Sequence, residues 1–183
     1  MPKKIKLIFG LGNPEKEYEN TRHNFGKDLI SKYIDKPLET QNAVYGKFGK
    51  IFIGYGNVFM NESGKAIGEL QKKLKLKPEE IMIVHDEADL PLLWLKFSFG
   101  KKSAGHKGVE SARKVLKSWN FWRLRIGIQG KKRKPAMDII LKKLREDELK
   151  LFNKSKKQFE KILQKLCETT PDKLNIPQKM LIE

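Results

Sequence analysis

The chain has 183 residues, 39% hydrophobic and 33% charged, and its 39 Lys and Arg outnumber 22 Asp and Glu for a formal net charge of +17. That composition excludes a disordered or fibrous chain, leaves room for one full core, and makes polyanions, nucleic acid first, the expected partners. No apolar run is long enough to span a bilayer, no apolar leader precedes the first strand, and a single cysteine (Cys167) rules out an internal disulfide framework, so a cytoplasmic location without membrane contact is expected.

Residues 5–26 read IKLIFGLGNPEKEYENTRHNFG. The apolar run closing on Gly10-Leu11-Gly12-Asn13-Pro14 predicts a strand feeding a tight turn. Thr21 is then expected to cap a helix carrying Phe25, Leu29, Ile30 and Tyr33, with His23 in its first turn. Residues 44–48 and 50–55, punctuated by Gly46, Gly49, Gly54 and Gly56, predict a β-hairpin. A helix opens over Phe59–Lys65 and runs to Leu74, with Ala66, Ile67 and Leu70 on one face. A buried strand over 81–84 ends at His85-Asp86-Glu87, and residues 94–99 predict another. The basic loop GKKSAGHKG leads into a helix over 109–116, followed by a strand over 121–128. Beyond Pro135 the texture is lysine-rich and helical. Residues 138–170 predict a C-terminal helix packed on the sheet through Leu149, Phe152, Phe159, Ile162, Leu163 and Leu166, and Pro171 and Pro177 end it. Strands mixed with helices around one sheet make residues 1–183 a single α/β domain.

Several apparent motifs fail. Gly10-Leu11-Gly12 begins like a dinucleotide fingerprint, but Glu15 stands in place of its third glycine. Ser63-Gly64-Lys65-Ala66 lacks the upstream glycine and final hydroxyl of a phosphate loop. Asp86-Glu87-Ala88-Asp89 spells the acidic box of RNA helicases without the nucleotide loop or second lobe such enzymes need. His85, Asp86, Glu87 and Asp89 have the ligand types of a Mg²⁺ or Mn²⁺ site, but consecutive strand residues point to opposite faces, so no metal and no cofactor are expected. No serine sits in a nucleophile elbow, and Cys167 lies late in an amphipathic helix.

What remains is a dispersed set: Asn13, His23, Asn61, Asp86 and His106. A histidine paired with a carboxylate is the minimum device for activating water, because the carboxylate fixes the tautomer and stabilises the imidazolium. Asparagine carboxamides donate to a developing oxyanion or position a carbonyl. On spacing alone the two asparagines read equally well as turn or cap residues, and His23 as a mere neighbour of a helix start.

Gly10-Leu11-Gly12-Asn13-Pro14, Tyr18 and Thr21-Arg22-His23-Asn24-x-Gly26 resemble the opening signature of the bacterial-type peptidyl-tRNA hydrolases. Phe59-Met60-Asn61-Glu62-Ser63-Gly64, His85-Asp86-Glu87-x-Asp89-Leu90-Pro91, Gly105-His106-x-Gly108 and Arg123-Leu124-Arg125-Ile126-Gly127-Ile128 follow in that family's order. The resemblance implies a twisted mixed β-sheet flanked by helices, a monomer, no metal, and an esterase that frees tRNA from peptidyl-tRNA. It makes His23 the general base, Asp86 the residue that holds it basic, and Asn13 the sensor of the blocked amino group. It places Tyr18, Phe59 and Asn61 along the groove for the peptide and 3′ end, with His106, Lys107 and Arg125 as further substrate or tRNA contacts. The chain departs from the family at Lys107, where Asn is usual, and at Ser98, where a tRNA-gripping Lys is common. A non-catalytic RNA-binding relative of the same fold is the alternative, supported mainly by Lys107.

Overall fold

The apolar run before the glycine turn becomes the middle strand of a seven-stranded sheet in a computed structural model that describes residues 3–174. The first half comprises β1 (Leu7–Gly10), α1 (Phe25–Ile30), β2 (Asp35–Glu39), β3 (Ala43–Phe48), β4 (Ile51–Gly56) and α2 (Ser63–Lys73). The second comprises β5 (Ile81–Pro91), β6 (Leu95–Phe99), α3 (Lys107–Leu116), β7 (Trp122–Gln129), α4 (Ala136–Ile139) and α5 (Glu146–Glu168). The strand order is β2-β3-β4-β1-β5-β7-β6. The inner pairs β4-β1, β1-β5 and β5-β7 are parallel; the β2-β3-β4 meander and β6-β7 are antiparallel.

Side-chain alternation divides the core between the two faces of this sheet. Ile8, Met82, Val84, Leu124 and Ile126 pack under α1 and α5, whereas Leu7, Phe9, Ile81 and Ile83 pack under α2 and α3. On α5, Phe152, Phe159, Ile162, Leu163 and Leu166 are buried, and the Phe152 ring stacks on Phe25 of α1 at 4.8 Å. At about 2 kcal/mol for each buried large side chain, that stripe contributes roughly 10 kcal/mol of burial, as much as a typical domain's whole net stability. The C-terminal helix is part of the core.

Three expectations need correction. The helix after Thr21 is short and broken: a 3₁₀ turn over Arg22–Asn24, the six-residue α1, then a second 3₁₀ turn over Ser31–Tyr33. Thr21 does not cap it, because its hydroxyl donates back to the Tyr18 carbonyl at 2.7 Å. The C-terminal region is not one helix from 138. α4 stops at Ile139, residues 140–141 form a turn, residues 142–145 run beside residues 20–22, and α5 starts only at Glu146. Finally, β2 was not expected. All five of its residues are exposed and it contains Pro37, which an edge strand tolerates because one side of its backbone faces solvent. Helix α5 ends at Glu168, shortly before Pro171, and Pro177 lies outside the described residues. Among the described residues, no helix is long and apolar enough to cross a membrane.

The parallel strands β4, β1 and β5 all end on the same side of the sheet, and β1 sits where the strand order turns back on itself. That is where open α/β folds hold ligands.

Candidate active site

Two glycines bring the helical side of the site down onto the strand ends. A Cβ on Gly26 would lie 2.1 Å from the Val84 carbonyl oxygen, and one on Gly10 would lie 2.3 Å from the Gly26 oxygen. Backbone therefore touches backbone, and Lys27 N donates to the Leu11 carbonyl at 2.9 Å to hold the contact. The 3₁₀ turn preceding α1 is carried over the middle of β5, just past the end of β1, and His23 reaches Asp86.

The hydrogen bonds around Asp86 fix two tautomers. His23 Nδ1 lies 2.8 Å and His106 Nε2 2.9 Å from the same oxygen, Asp86 Oδ1. An ionised carboxylate only accepts, so both imidazoles donate. His106 uses its second nitrogen, Nδ1, to accept the Val109 N–H at the start of α3. His23 has no such second partner among the described residues, so its Nε2 lone pair is free, and the ring lines the cavity described below. Burial alone pushes the Asp86 carboxyl up, but the two imidazoles outweigh it and hold it well below the usual carboxylate range. A third imidazole, His85, donates from Nδ1 to the Asp86 carbonyl at 2.6 Å and packs edge-on against His106. Burial, with His106 and Arg123 nearby, pushes its pKa well down, so it stays neutral.

Asn13 is equally constrained. Its backbone N–H donates to Asn24 Oδ1 at 2.8 Å, and its carbonyl accepts from Asn24 Nδ2 and Lys27 Nζ, each at 3.1 Å. Its side-chain oxygen accepts the Met60 N–H at 2.8 Å. The remaining group is the Asn13 Nδ2 amide, which is left to donate.

These residues line one cavity of about 570 Å³, well within the range of a small-molecule site. Tyr18 and Phe59 meet edge to face on one wall, their centroids 6.3 Å apart, and Asn61 and Lys107 stand exposed at its margin. Met137 of α4 and, just after it, Ile140 and Leu141 add an apolar wall.

Arg125 does not join this cavity. It pairs with Glu87 at 2.7 Å and lines a neighbouring cleft of about 420 Å³ with Lys96, Lys101, Lys102 and Arg123. Glu87 itself lines the first cavity beside Asp86, so its side chain stands between that cavity and Arg125. In that cleft Ser98 Oγ and Arg123 Nη1 are buried without a partner among the described residues. Burial, then the neighbouring Arg125, pushes the Arg123 guanidinium down to about 10.

The acidic run His85–Asp89 thus disperses, with Asp89 pairing to Arg133 at the surface. A different metal-type group converges instead, since the ligand atoms of His23, Asp86 and His106 lie within 4.8 Å of one another. Its wiring opposes a metal, because both imidazoles present N–H to the carboxylate rather than a lone pair to an ion. Sequence reasoning missed Asn24, Glu87 and the apolar wall. The one available signal was Met137 and Leu141, two large apolar residues in an otherwise lysine-rich stretch, which the structure leaves 87% and 55% exposed.

The family model described as "Peptidyl-tRNA hydrolase" matches residues 7–180. A peptidyl-tRNA hydrolase of Aquifex aeolicus is 36% identical over 179 residues, covering 92% of this chain and 93% of that one. One of Lactobacillus johnsonii is 33% identical over 168 residues, covering 87% and 91%. Among solved structures, the peptidyl-tRNA hydrolase of Acinetobacter baumannii superposes with a TM-score of 0.71 at 25% identity, covering 91% of this chain and 96% of that one. Fold, strand-end site and matched length agree: the chain belongs to the peptidyl-tRNA hydrolase family.

Proposed function

We propose that the cavity hydrolyses the ester joining a peptide to the 3′ ribose of tRNA, with His23 as general base. The hydrogen bond between His23 and Asp86 carries this reading, since it presents the free Nε2 to a water in the cavity. His23 Nε2 takes a proton as water oxygen bonds to the ester carbonyl carbon, and the tetrahedral oxyanion collapses by breaking the bond to the ribose oxygen. The imidazolium returns its proton to that leaving oxygen. Asp86 stabilises the imidazolium between these steps and keeps the ring in one tautomer.

Specificity for a blocked amino group follows from Asn13. With its side-chain oxygen held by Met60 N–H, the carboxamide offers an N–H donor. A peptidyl substrate presents an amide carbonyl to accept it; a free α-ammonium has only donors, and two donors facing each other in a partly dry site lose a hydrogen bond. Tyr18 and Phe59 supply an aromatic surface for the terminal base or an apolar side chain. Asn61 and the Lys107 ammonium supply donors for carbonyl or phosphate oxygen. The cationic cleft around Arg123 and Arg125 suits the phosphates of the tRNA. The non-catalytic alternative leaves the convergence of His23, Asp86 and Asn13 without a use. Purified protein given N-acetyl-aminoacyl-tRNA and its unblocked counterpart is the test. Release of tRNA from the first but not the second is expected; no release from either refutes the reading.

A further inference from the structure

The stretch between α4 and α5 holds the catalytic turn from outside. His23 N donates to the Ile140 carbonyl at 2.8 Å, Arg22 N to the Lys142 carbonyl at 3.2 Å, and Leu144 N to the Asn20 carbonyl at 2.9 Å. The Arg22 side chain locks this contact. Its Nη2 donates to both carboxylate oxygens of Glu148 at 2.8 Å, 126 residues away in sequence, and its Nη1 donates to the Lys143 carbonyl at 3.1 Å. Both side chains are largely buried, at 11% and 6% exposure. Glu148 is also anchored at the start of α5, where it accepts the Arg145 N–H at 2.9 Å.

A buried ion pair is a poor device for stability alone, since desolvation offsets most of its attraction. What a planar guanidinium supplies, with one nitrogen on both carboxylate oxygens and another on a backbone carbonyl, is a fixed distance and angle. Here that geometry is applied to the residue before His23, whose ring must hold Asp86 with one nitrogen and aim the other at the substrate. We infer that Arg22 and Glu148 form a positioning pair, through which the C-terminal helix sets the orientation of the catalytic histidine. The same connection explains why Ile140 and Leu141, walls of the substrate cavity, sit on the segment that grips His23.

The inference rests on His23 being the base, and the test separates the two. Glu148→Gln keeps the acceptor for Arg145 N–H and the side-chain size but removes the charge; Arg22→Lys keeps the charge but removes the second nitrogen that holds the Lys143 carbonyl. Each is expected to lower kcat about ten-fold, the scale of a small misplacement of a reacting group, with KM within two-fold. The proton on His23 Nδ1, followed by NMR, is expected to broaden or shift in both. Leu166→Ala, at the far end of α5 and 1% exposed, serves as the purely structural control. It is expected to lower the Tm and leave kcat unchanged. The inference is overturned if Glu148→Gln turns over within two-fold of wild type, or if Leu166→Ala reduces kcat as much as the pair variants do. Retained activity in His23→Ala would instead sink the general-base reading beneath it.

Discussion

Gly26→Ala tests how the fold delivers His23 to Asp86. The new methyl carbon would lie 2.1 Å from the Val84 oxygen in β5 and 2.8 Å from Leu11 N just past β1, both backbone atoms. Ordinary contact begins near 3.4 Å, so the turn and α1 must retreat by about 1.3 Å, an overpacking that costs roughly 1–3 kcal/mol. His23 rides on the retreating piece, and its 2.8 Å bond to Asp86 would open to about 4 Å, beyond hydrogen-bond reach. A misplacement of that size costs on the order of 10² in rate. The assay is single-turnover hydrolysis of N-acetyl-aminoacyl-tRNA, with thermal unfolding measured on the same samples. Gly130→Ala, whose methyl carbon meets nothing within 4 Å, is the matched control and should match wild type. Activity of Gly26→Ala within three-fold of wild type would refute the close-approach reasoning.

Two further outcomes are expected. Burial pushes the Asp28 carboxyl up from 3.8 to about 6, so the folded state holds that proton to higher pH than the unfolded chain does. Wild-type stability from this group is therefore complete below pH 3.8 and is lost as pH rises through about 6. Asp28→Asn should raise stability above pH 6 by at most about 3 kcal/mol and leave it unchanged near pH 3.5; chemical denaturation at both values checks it, and equal effects at both would contradict the burial argument. Separately, the five cations of the second cleft predict that tRNA affinity falls with a log–log salt slope of about −4. Binding titrations between low and physiological salt measure it, and a flat response would contradict the cleft's assignment to phosphates.

The strands were legible where burial forced a pattern. Residues 81–84 and 121–128 read as buried strands because both faces are covered, and the glycine-punctuated hairpin gave itself away through its turn. β2 carried no such signal: five exposed residues show no alternation, and only pairing with β3 makes them a strand. The stripe of α5 was plain, but the break before it was not. Residues 140–145 have the same lysine-rich texture as the helix, and what stops them from joining it is backbone bonding to residues 20–23, a partner more than a hundred residues away.

The site followed the same rule. Glu87 lines the same cavity as Asp86, and nothing local showed that His106 would share the Asp86 oxygen with His23. Arg125 read as a substrate or tRNA contact, and nothing local showed that Glu87, on another strand, would pair with it. Asn24 stood inside the quoted motif, and its work of clamping Asn13 became visible only when the two loops met.

In the proposed reaction His23, held by Asp86, activates the water that cleaves the ester. Its most direct measurement is hydrolysis and binding of N-acetyl-aminoacyl-tRNA by His23→Ala beside the wild type. Turnover is expected to fall by at least about 10³-fold while tRNA affinity stays within a few-fold. Turnover by His23→Ala within ten-fold of wild type would contradict it.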